Sequence, residues 1–298
     1  MQSNTFRIEI QIAGRERFAV LYKPDSFNAS APAVLIAYHG AGTCAEQMIE
    51  FCGLNQTAEE HGFAVVYPNG TGRTEQAGTW NGGPECGYAG RQNVDDVGFT
   101  RRLVEVLKRD WFTPATCFFP VGMSNGGLMC YRLASEMADE FRAVACVAGA
   151  MGSSSSDVGD ETVTGSTTLD PSRPVSILHI HGTADEFVPY GGGIGRRSLT
   201  KTPFASVNES VLAWVRANGC ELIPGVESLV PAVEDGTRII LHRYENGLGG
   251  SRVWLFEVEG GGHTWPGRPS SMDFLGKTTT NLDANAVIWD FFASVLSS

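Results

Sequence analysis

A serine near the middle of the sequence stands in a setting that can turn its hydroxyl into a nucleophile. Residues 122–126 read Gly-Met-Ser-Asn-Gly and fit the pattern G-x-S-x-G, which in hydrolases forms a sharp turn between a strand and a helix. An apolar strand-like run precedes the motif and a helix-compatible run follows it. The glycines leave room for the turn, and the helix N-terminus favours negative charge. We therefore predict that Ser124 is a catalytic nucleophile.

The predicted nucleophile needs a base that removes its proton. In hydrolases with this turn, the acid and then the histidine follow the serine along the chain. His263 lies in the glycine-bounded loop Gly-Gly-Gly-His-Thr-Trp-Pro-Gly at 260–267, directly after a strand-like run. This position predicts His263 as the base. The other histidines after the serine are expected to be structural, because His179 and His181 lie at the end of a strand and His242 lies in an apolar edge run.

The acid that orients the base is expected on a loop at the end of a strand, between the serine and the histidine. The run at 175–180 is strand-like, and the loop His-Gly-Thr-Ala-Asp at 181–185 follows it. Asp185 would accept the imidazole N–H and so fix its tautomer. Glu186, one position later, is the competing candidate. Other aspartates in between lie in a polar loop and are expected to be solvated.

Hydrolysis of an ester also needs two backbone N–H groups that stabilise the oxyanion. One is normally the residue after the nucleophile, here Asn125, and the other comes from the loop after an early strand. The sequence His-Gly-Ala-Gly at 39–42 ends such a strand. We predict Ala41 as the second donor.

Strand and helix patterns alternate around these residues. A hairpin at 6–12 and 16–22 leads into strands at 33–38, 63–67, 117–121, 144–148, 175–180 and 253–258, with helices at 45–60, 94–110, 128–138, 206–217 and 283–295. Such alternation is typical of a mostly parallel sheet with helices on both faces. We predict one α/β domain over residues 1–298.

Composition and charge exclude some classes of binding partner. The chain of 298 residues has a formal net charge of −11 and a pI near 5.0, so it lacks the basic surface that nucleic acids require. No apolar run is long enough to span a membrane. The first residues from Met1 onward lack the charged segment followed by an apolar segment that marks a signal peptide. We therefore expect a cytoplasmic protein unless a leader has been removed.

The seven cysteines show no CxxC spacing, so no metal site is expected. Cys86 and Cys220 are the one disulfide pair worth testing.

The chain resembles the poly(3-hydroxybutyrate) depolymerase-like esterase family, which includes feruloyl and acetylxylan esterases. The matching segments are Tyr-His-Gly-Ala-Gly at 38–42, Val-Asp-Asp-Val-Gly-Phe at 94–99, Gly-Met-Ser-Asn-Gly-Gly at 122–127, His-Gly-Thr-Ala-Asp at 181–185 and Gly-His-Thr-Trp-Pro-Gly at 262–267. The resemblance implies an α/β-hydrolase fold, ester hydrolysis without a cofactor, and a triad on Ser124, Asp185 and His263. This agreement favours Asp185 over Glu186.

Aromatic residues near these motifs suggest the substrate. Trp80, Tyr88 and Trp265 are expected to form a wall for a phenolic acyl group or a sugar face. Residues 80–88 resemble a family loop near the cleft in which two adjacent cysteines are common, although Glu85 replaces the first of them. We expect feruloyl, other aryl or acetyl esters of plant polysaccharide. Oligomers of 3-hydroxybutyrate are the alternative, and a non-catalytic binding scaffold is a remote one.

Overall fold

A computed structural model describes residues 4–30, 32–83, 87–153, 169–198, 200–269 and 272–297. Strands and helices alternate along them. The strands are β1 (Thr5–Ile12), β2 (Arg15–Tyr22), β3 (Ala33–Tyr38), β4 (Ala64–Pro68), β5 (Thr71–Gly72), β6 (Gly78–Thr79), β7 (Cys117–Met123), β8 (Ala143–Val147), β9 (Ser176–Gly182), β10 (Gly225–Leu229), β11 (Arg238–Tyr244) and β12 (Val253–Glu259). The helices are α1 (Ala45–Cys52), α2 (Leu54–His61), α3 (Gly87–Arg91), α4 (Asp96–Asp110), α5 (Asn125–Glu136), α6 (Val207–Ala217) and α7 (Ala284–Leu296).

Ten of the strands form one sheet in the order β1-β2-β4-β3-β7-β8-β9-β12-β11-β10. The six strands from β4 to β12 in this order are parallel to their neighbours, and an antiparallel hairpin extends the sheet at either end. The predicted α/β fold with a mostly parallel central sheet is therefore confirmed.

The two faces of the sheet have separate cores, which follows from the alternation of side chains along a strand. In β3, Val34, Ile36 and Tyr38 pack in the cluster that includes buried residues of α4, α5 and α6. The intervening residues of β3 pack with α1, α2 and α7 on the opposite face. All six residues of β3 are buried, as expected for a central strand covered by helices on both faces.

Some elements of the structure differ from the sequence predictions or add to them. The helix predicted at 45–60 is two helices, because Gly53 has φ +61 and ends the first of them. The leading hairpin joins the main sheet through β2 and β4. Strands β10 and β11 were not predicted, and His242, expected on an edge, lies on β11 between β10 and β12. Among the described residues, no helix has both the length and the apolar character that a bilayer crossing demands.

Candidate active site

Ser124 occupies a strained turn at the carboxyl end of β7. Its backbone has φ +55 and ψ −119, a conformation that is uncommon for a residue with a side chain and costs about 1–3 kcal/mol. The N–H of Ser124 donates to the carbonyl of Val147 at 2.8 Å, and its own carbonyl accepts from Leu128 at 3.0 Å. Helix α5 therefore begins directly behind a half-buried serine, whose hydroxyl makes no hydrogen bond within the described part of the chain.

The glycines of the motif are required by close backbone approaches. A Cβ placed on Gly126 would lie 2.1 Å from the carbonyl oxygen of Tyr38, and one on Gly122 would lie 2.3 Å from the backbone of Gly126. Both separations are far below van der Waals contact. The turn can therefore press against the end of β3 only because these two positions have no side chain.

The loop after β3 lies beside Ser124. A Cβ placed on Gly40 would lie 3.7 Å from the Cβ of Ser124, so the next residue, Ala41, is close to the nucleophile. Ala41 is exposed, and its N–H has no intramolecular partner in the part of the chain that the structure describes. The same holds for the N–H of Asn125, because the first residue of a helix has no acceptor within the helix. Two free donors thus flank Ser124, as an oxyanion hole requires.

The buried His39 holds this loop in place through hydrogen bonds. Its ring is buried, accepts from the N–H of Gly70 at Nε2 (2.9 Å) and donates from Nδ1 to the carbonyl of Gly40 (2.8 Å). Thr43 donates to the same carbonyl at 2.7 Å. This pattern requires a neutral imidazole, and burial accordingly lowers the pKa of His39 to about 4.

The low pKa of His39 predicts a loss of stability in mild acid. An unfolded chain protonates this histidine near pH 6.5, whereas the folded form resists protonation until about pH 4. Between these values the unfolded state holds the extra proton, so stability falls as the pH falls. From pH 7.5 to 5 the expected loss is on the order of 2 kcal/mol. Urea unfolding of the parent and of His39→Gln measures it; the variant should be less stable at pH 7.5 and show a smaller pH dependence. An equal dependence of the unfolding free energy on pH in the two proteins would contradict the low pKa of His39.

Asp185 and His263 form a buried pair. Nδ1 of His263 donates to Oδ2 of Asp185 at 2.7 Å, and the residues are 6% and 5% exposed. The backbone N–H groups of Phe187 and Val188 donate to Oδ1 at 2.8 and 2.9 Å. Burial by itself raises the pKa of the Asp185 carboxyl, but the adjacent His263 and the hydrogen bonds outweigh it and hold the pKa below its ordinary range. The carboxylate is therefore ionised and oriented.

Glu186 points elsewhere. Its carboxylate pairs with Arg196 at 2.9 Å and with Arg197 at 2.5 Å, both at the surface. A carboxylate engaged in solvent does not orient a buried imidazole. Of the two acids that the sequence left open, the geometry thus favours Asp185.

The loops that carry the acid and the base are joined by backbone hydrogen bonds. The N–H of Ala184 donates to the carbonyl of Gly261, and the N–H of Thr183 donates to Val258, each at 2.9 Å. A Cβ on Gly182 would lie 2.3 Å from the oxygen of Gly261, so the two loops meet only because position 182 is glycine. Since β9 and β12 are parallel neighbours, both loops leave the same edge of the sheet.

The expected aromatic wall is not supported by the structure. Trp80 is 0% exposed and donates its indole N–H to the carbonyl of His39 at 3.0 Å; Trp265 is 1% exposed and donates to Asn285 at 2.8 Å. Neither indole presents a surface to a substrate, so both are corrected to packing residues. Tyr88 is half-buried on α3, and its substrate contact stays a prediction.

Trp80 instead belongs to a buried support beneath the nucleophile. The side-chain amide of Asn125 accepts from the N–H of Trp80 at 2.7 Å and donates to its carbonyl at 3.0 Å. The adjacent Asn81 donates its N–H to Asp96 at 2.8 Å, and Asp96 forms a buried ion pair with Arg17 at 2.9 Å. The Val-Asp-Asp segment therefore anchors this support, a role that the motif alone did not reveal.

Two exposed or partly exposed aromatic residues beside the base were missed. The ring of Phe187 stacks on the imidazole of His263 at 4.9 Å between centroids, and Phe274 lies 6.3 Å from Phe187. Phe274 is 52% exposed. The N–H of His263 donates to Leu275 at 2.7 Å, which holds the segment of Phe274 against the loop of the base. The proximity of Phe187 to Asp185 in the sequence was the one available signal.

Two further expectations concern cysteines and metals. Cys86 lies outside the described residues, so its pairing with the buried Cys220 is untested. Across the described ranges, no group of three or more His, Cys, Asp and Glu side chains is placed to hold a metal ion.

Known proteins with sequences similar to this chain are esterases. No protein-family model matches the sequence. The chain is 31% identical over 300 residues to "Putative esterase NocK" of Nocardia uniformis subsp. tsuyamanensis, covering 95% of this chain and 81% of that protein. It is 29% identical over 262 residues to feruloyl esterase B of Piromyces equi, covering 87% of this chain and 45% of the relative. Feruloyl esterase C of Emericella nidulans is 31% identical over 219 residues, or 71% of this chain and 64% of the relative.

Solved structures share the fold at low sequence identity. An acetyl xylan esterase from Aspergillus awamori superposes with a TM-score of 0.57 and 16% identity, over 87% of this chain and 94% of its own. TT1662 from Thermus thermophilus gives a TM-score of 0.53 and 18% identity, over 99% of both chains. These similarities establish the architecture that positions the site.

Proposed function

The chain belongs to the α/β-hydrolase family of poly(3-hydroxybutyrate) depolymerase-like, feruloyl and acetylxylan esterases and is a carboxylic ester hydrolase, and on that premise we propose that Ser124, Asp185 and His263 carry the reaction. One observation supports this assignment above the others. The imidazole of His263 is held by an ionised carboxylate, on the same edge of the sheet as a strained serine at a helix N-terminus.

The proposed mechanism is acyl transfer in two steps. His263 removes the proton of the Ser124 hydroxyl while the oxygen attacks the ester carbonyl, and Asp185 stabilises the imidazolium that forms. The oxyanion accepts hydrogen bonds from the N–H groups of Ala41 and Asn125. His263 then protonates the leaving alcohol as the carbon–oxygen bond breaks. Water, deprotonated by His263, repeats the attack and releases the acid and the free serine.

The proposed substrates are esters with an aromatic acyl group, such as the feruloyl esters of plant polysaccharides. Phe187 and Phe274 form the aromatic patch: Phe187 stacks on the ring of the base, and Phe274 lies beside Phe187. Phe274 is exposed and Phe187 partly exposed, so ring surface is open to solvent. Stacked and edge-to-face aromatic contacts suit a flat phenolic ring. Two of the relatives named above are feruloyl esterases, which supports the same substrate class.

The function is tested by activity-based labelling and a substrate panel. A fluorophosphonate should label the protein at Ser124, as shown by mass spectrometry of the digested adduct. Hydrolysis of methyl ferulate, acetylated xylan and 3-hydroxybutyrate oligomers then ranks the substrate classes. An unlabelled, inactive protein would reject the esterase mechanism; a preference for acetate or hydroxybutyrate esters would reject the aromatic substrate class alone.

The aromatic patch predicts a change in specificity on Phe274→Ala. Loss of aromatic contact worth about 0.5–1.5 kcal/mol corresponds to a two- to twelvefold decrease, about tenfold for each 1.4 kcal/mol. This decrease is expected in kcat/KM for methyl ferulate but not for p-nitrophenyl acetate, whose acyl group is an acetyl without a ring. The measured quantity is the ratio of the two kcat/KM values.

Trp265→Ala is the contrasting variant. Trp265 is buried beneath the loop of the base, and deleting a buried tryptophan costs about 3–5 kcal/mol. Both esters should therefore lose activity by a common factor, and the Tm should fall. A ratio that changes in Trp265→Ala but not in Phe274→Ala would reverse these two roles.

A further inference from the structure

A chain of three buried side chains lies behind Asp185. Tyr131 of α5 and His179 and His181 of β9 are 1%, 0% and 1% exposed. The hydroxyl of Tyr131 lies 2.5 Å from Nδ1 of His179, and Nε2 of His179 lies 3.1 Å from Nδ1 of His181. The acyl-transfer steps above use none of the three. Their hydrogen bonds form a continuous path from Tyr131 to the carbonyl oxygen of Val188, beside the acid.

For the neutral form of His181, the direction of every hydrogen bond in this path follows from its last acceptor. Nε2 of His181 lies 2.8 Å from the carbonyl oxygen of Val188, which can only accept, so this nitrogen carries a proton. In a neutral ring the other nitrogen must then accept. His179 therefore donates from Nε2 to His181, and the Tyr131 hydroxyl donates to His179.

The two stacked imidazoles are not both cationic. Their rings stack at 5.3 Å between centroids and 8° between planes, and two adjacent positive charges without solvent would repel each other strongly. Burial lowers the pKa of His179 well below its ordinary range. The tautomers are consequently set by Tyr131 at one end of the path and Val188 at the other.

The path reaches the acid through the N–H of His181. Nε2 of His181 lies 3.4 Å from Oδ2 of Asp185, the same oxygen that accepts from His263 at 2.7 Å. Its N–H donates to Val188 at 2.8 Å and lies beside the carboxylate of Asp185. The positive end of this N–H dipole faces a charge that little solvent screens, so it disperses the negative charge that faces His263.

Other titratable groups surround the path. The ring of Tyr190 lies edge-on to His181 at 6.0 Å, and its hydroxyl donates to Glu257 of β12 at 3.0 Å. His242 of β11 lies 3.2 Å from the same Glu257 carboxylate. The thiols of Cys130 and Cys146 belong to the same buried cluster as Tyr131 and influence it electrostatically. Burial raises the pKa of both thiols, which keeps them neutral.

We propose that His181 is a positioning residue for the acid, held by Tyr131 and His179 in the one neutral tautomer that keeps an N–H beside the carboxylate of Asp185, 3.4 Å from Nε2 to Oδ2. This role rests on the triad proposed above. It explains why two adjacent buried imidazoles follow one strand toward the site: residues two apart on a strand share a face, and only that face leads to the carboxylate.

His181→Phe removes the donor and retains most of the volume. The expected kcat is about thirtyfold lower, equivalent to about 2 kcal/mol. The rate falls because the carboxylate is less well oriented toward His263 once the N–H is gone. Its charge is also less dispersed, so the acidic limb of the kcat/KM profile should move to higher pH. His181→Gln, which can still donate an amide N–H, should recover most of the rate.

Tyr131→Phe is the milder test, and it still tests the positioning role of His181 if His181→Phe does not fold. It removes one hydroxyl and lets His179 change tautomer, so kcat should fall about three- to fivefold with the same direction of pH shift. The matched control is Tyr67→Phe, which removes a buried hydroxyl bonded to Asn55 at 2.6 Å and should leave the pH profile unchanged.

A proton NMR measurement separates this inference from the esterase assignment. The low-field signal of the His263 Nδ1 proton should shift in Tyr131→Phe and His181→Phe but not in Tyr67→Phe, whatever esters the parent hydrolyses. Lower activity and a lower Tm with an unchanged pH limb and NMR signal would overturn the positioning role. A parent that hydrolyses no ester would reject the proposed function while the NMR result still decides this one.

Discussion

Replacing Ser124 by alanine is expected to lower kcat on a p-nitrophenyl ester by about 10⁴-fold or more, the effect of removing a triad member. The loss arises because the variant lacks the hydroxyl that forms the acyl-enzyme. Alanine keeps the Cβ, so the strained backbone at φ +55 is neither relieved nor made worse. The Tm should therefore stay close to that of the parent.

The experiment compares initial rates and fluorophosphonate labelling of parent and variant at equal concentration. Ser228→Ala on the exposed strand β10 is the matched control and should behave as the parent. Activity within tenfold of the parent in Ser124→Ala would refute the nucleophile. Loss of labelling with retained hydrolysis would likewise place the reaction elsewhere.

Asp185→Asn is expected to reduce kcat on the order of 10⁴-fold, as the loss of the correct histidine tautomer does in triad enzymes. The backbone N–H groups of Phe187 and Val188 donate to Oδ1 and would retain the amide oxygen of asparagine there. The amide NH₂ would then face Nδ1 of His263 and donate to it. The histidine proton would be forced onto Nε2, where it prevents the ring from accepting a proton from Ser124.

Glu186→Gln is the matched control for this prediction. It also removes one carboxylate charge, but from a surface cluster with Arg196 and Arg197, where exposed ion pairs contribute about 0–1 kcal/mol. Its kcat should change less than about tenfold. If Glu186→Gln were the more damaging substitution, the acid would have to be reassigned to position 186.

The sequence by itself predicted the residues whose roles depend on local backbone geometry. A G-x-S-x-G turn, a glycine-bounded histidine loop and an aspartate after a strand are each defined within a few residues. Because the carboxyl ends of parallel strands meet at one edge of a sheet, Ser124, Asp185 and His263 were expected at the same edge. The buried pairing of Asp185 with His263 agrees with that expectation.

Side-chain directions and distant partners were decided by the tertiary structure alone. Trp265 is two residues from His263, yet its indole points into the core toward Asn285. Phe274 approaches the base from a separate segment, and Arg17 meets Asp96 across 79 residues. No local pattern encodes such contacts, because the free energy of burying a ring or a charge depends on which elements pack around it. The sequence therefore determined where the chemistry stands along the chain, and packing determined which side chains surround it.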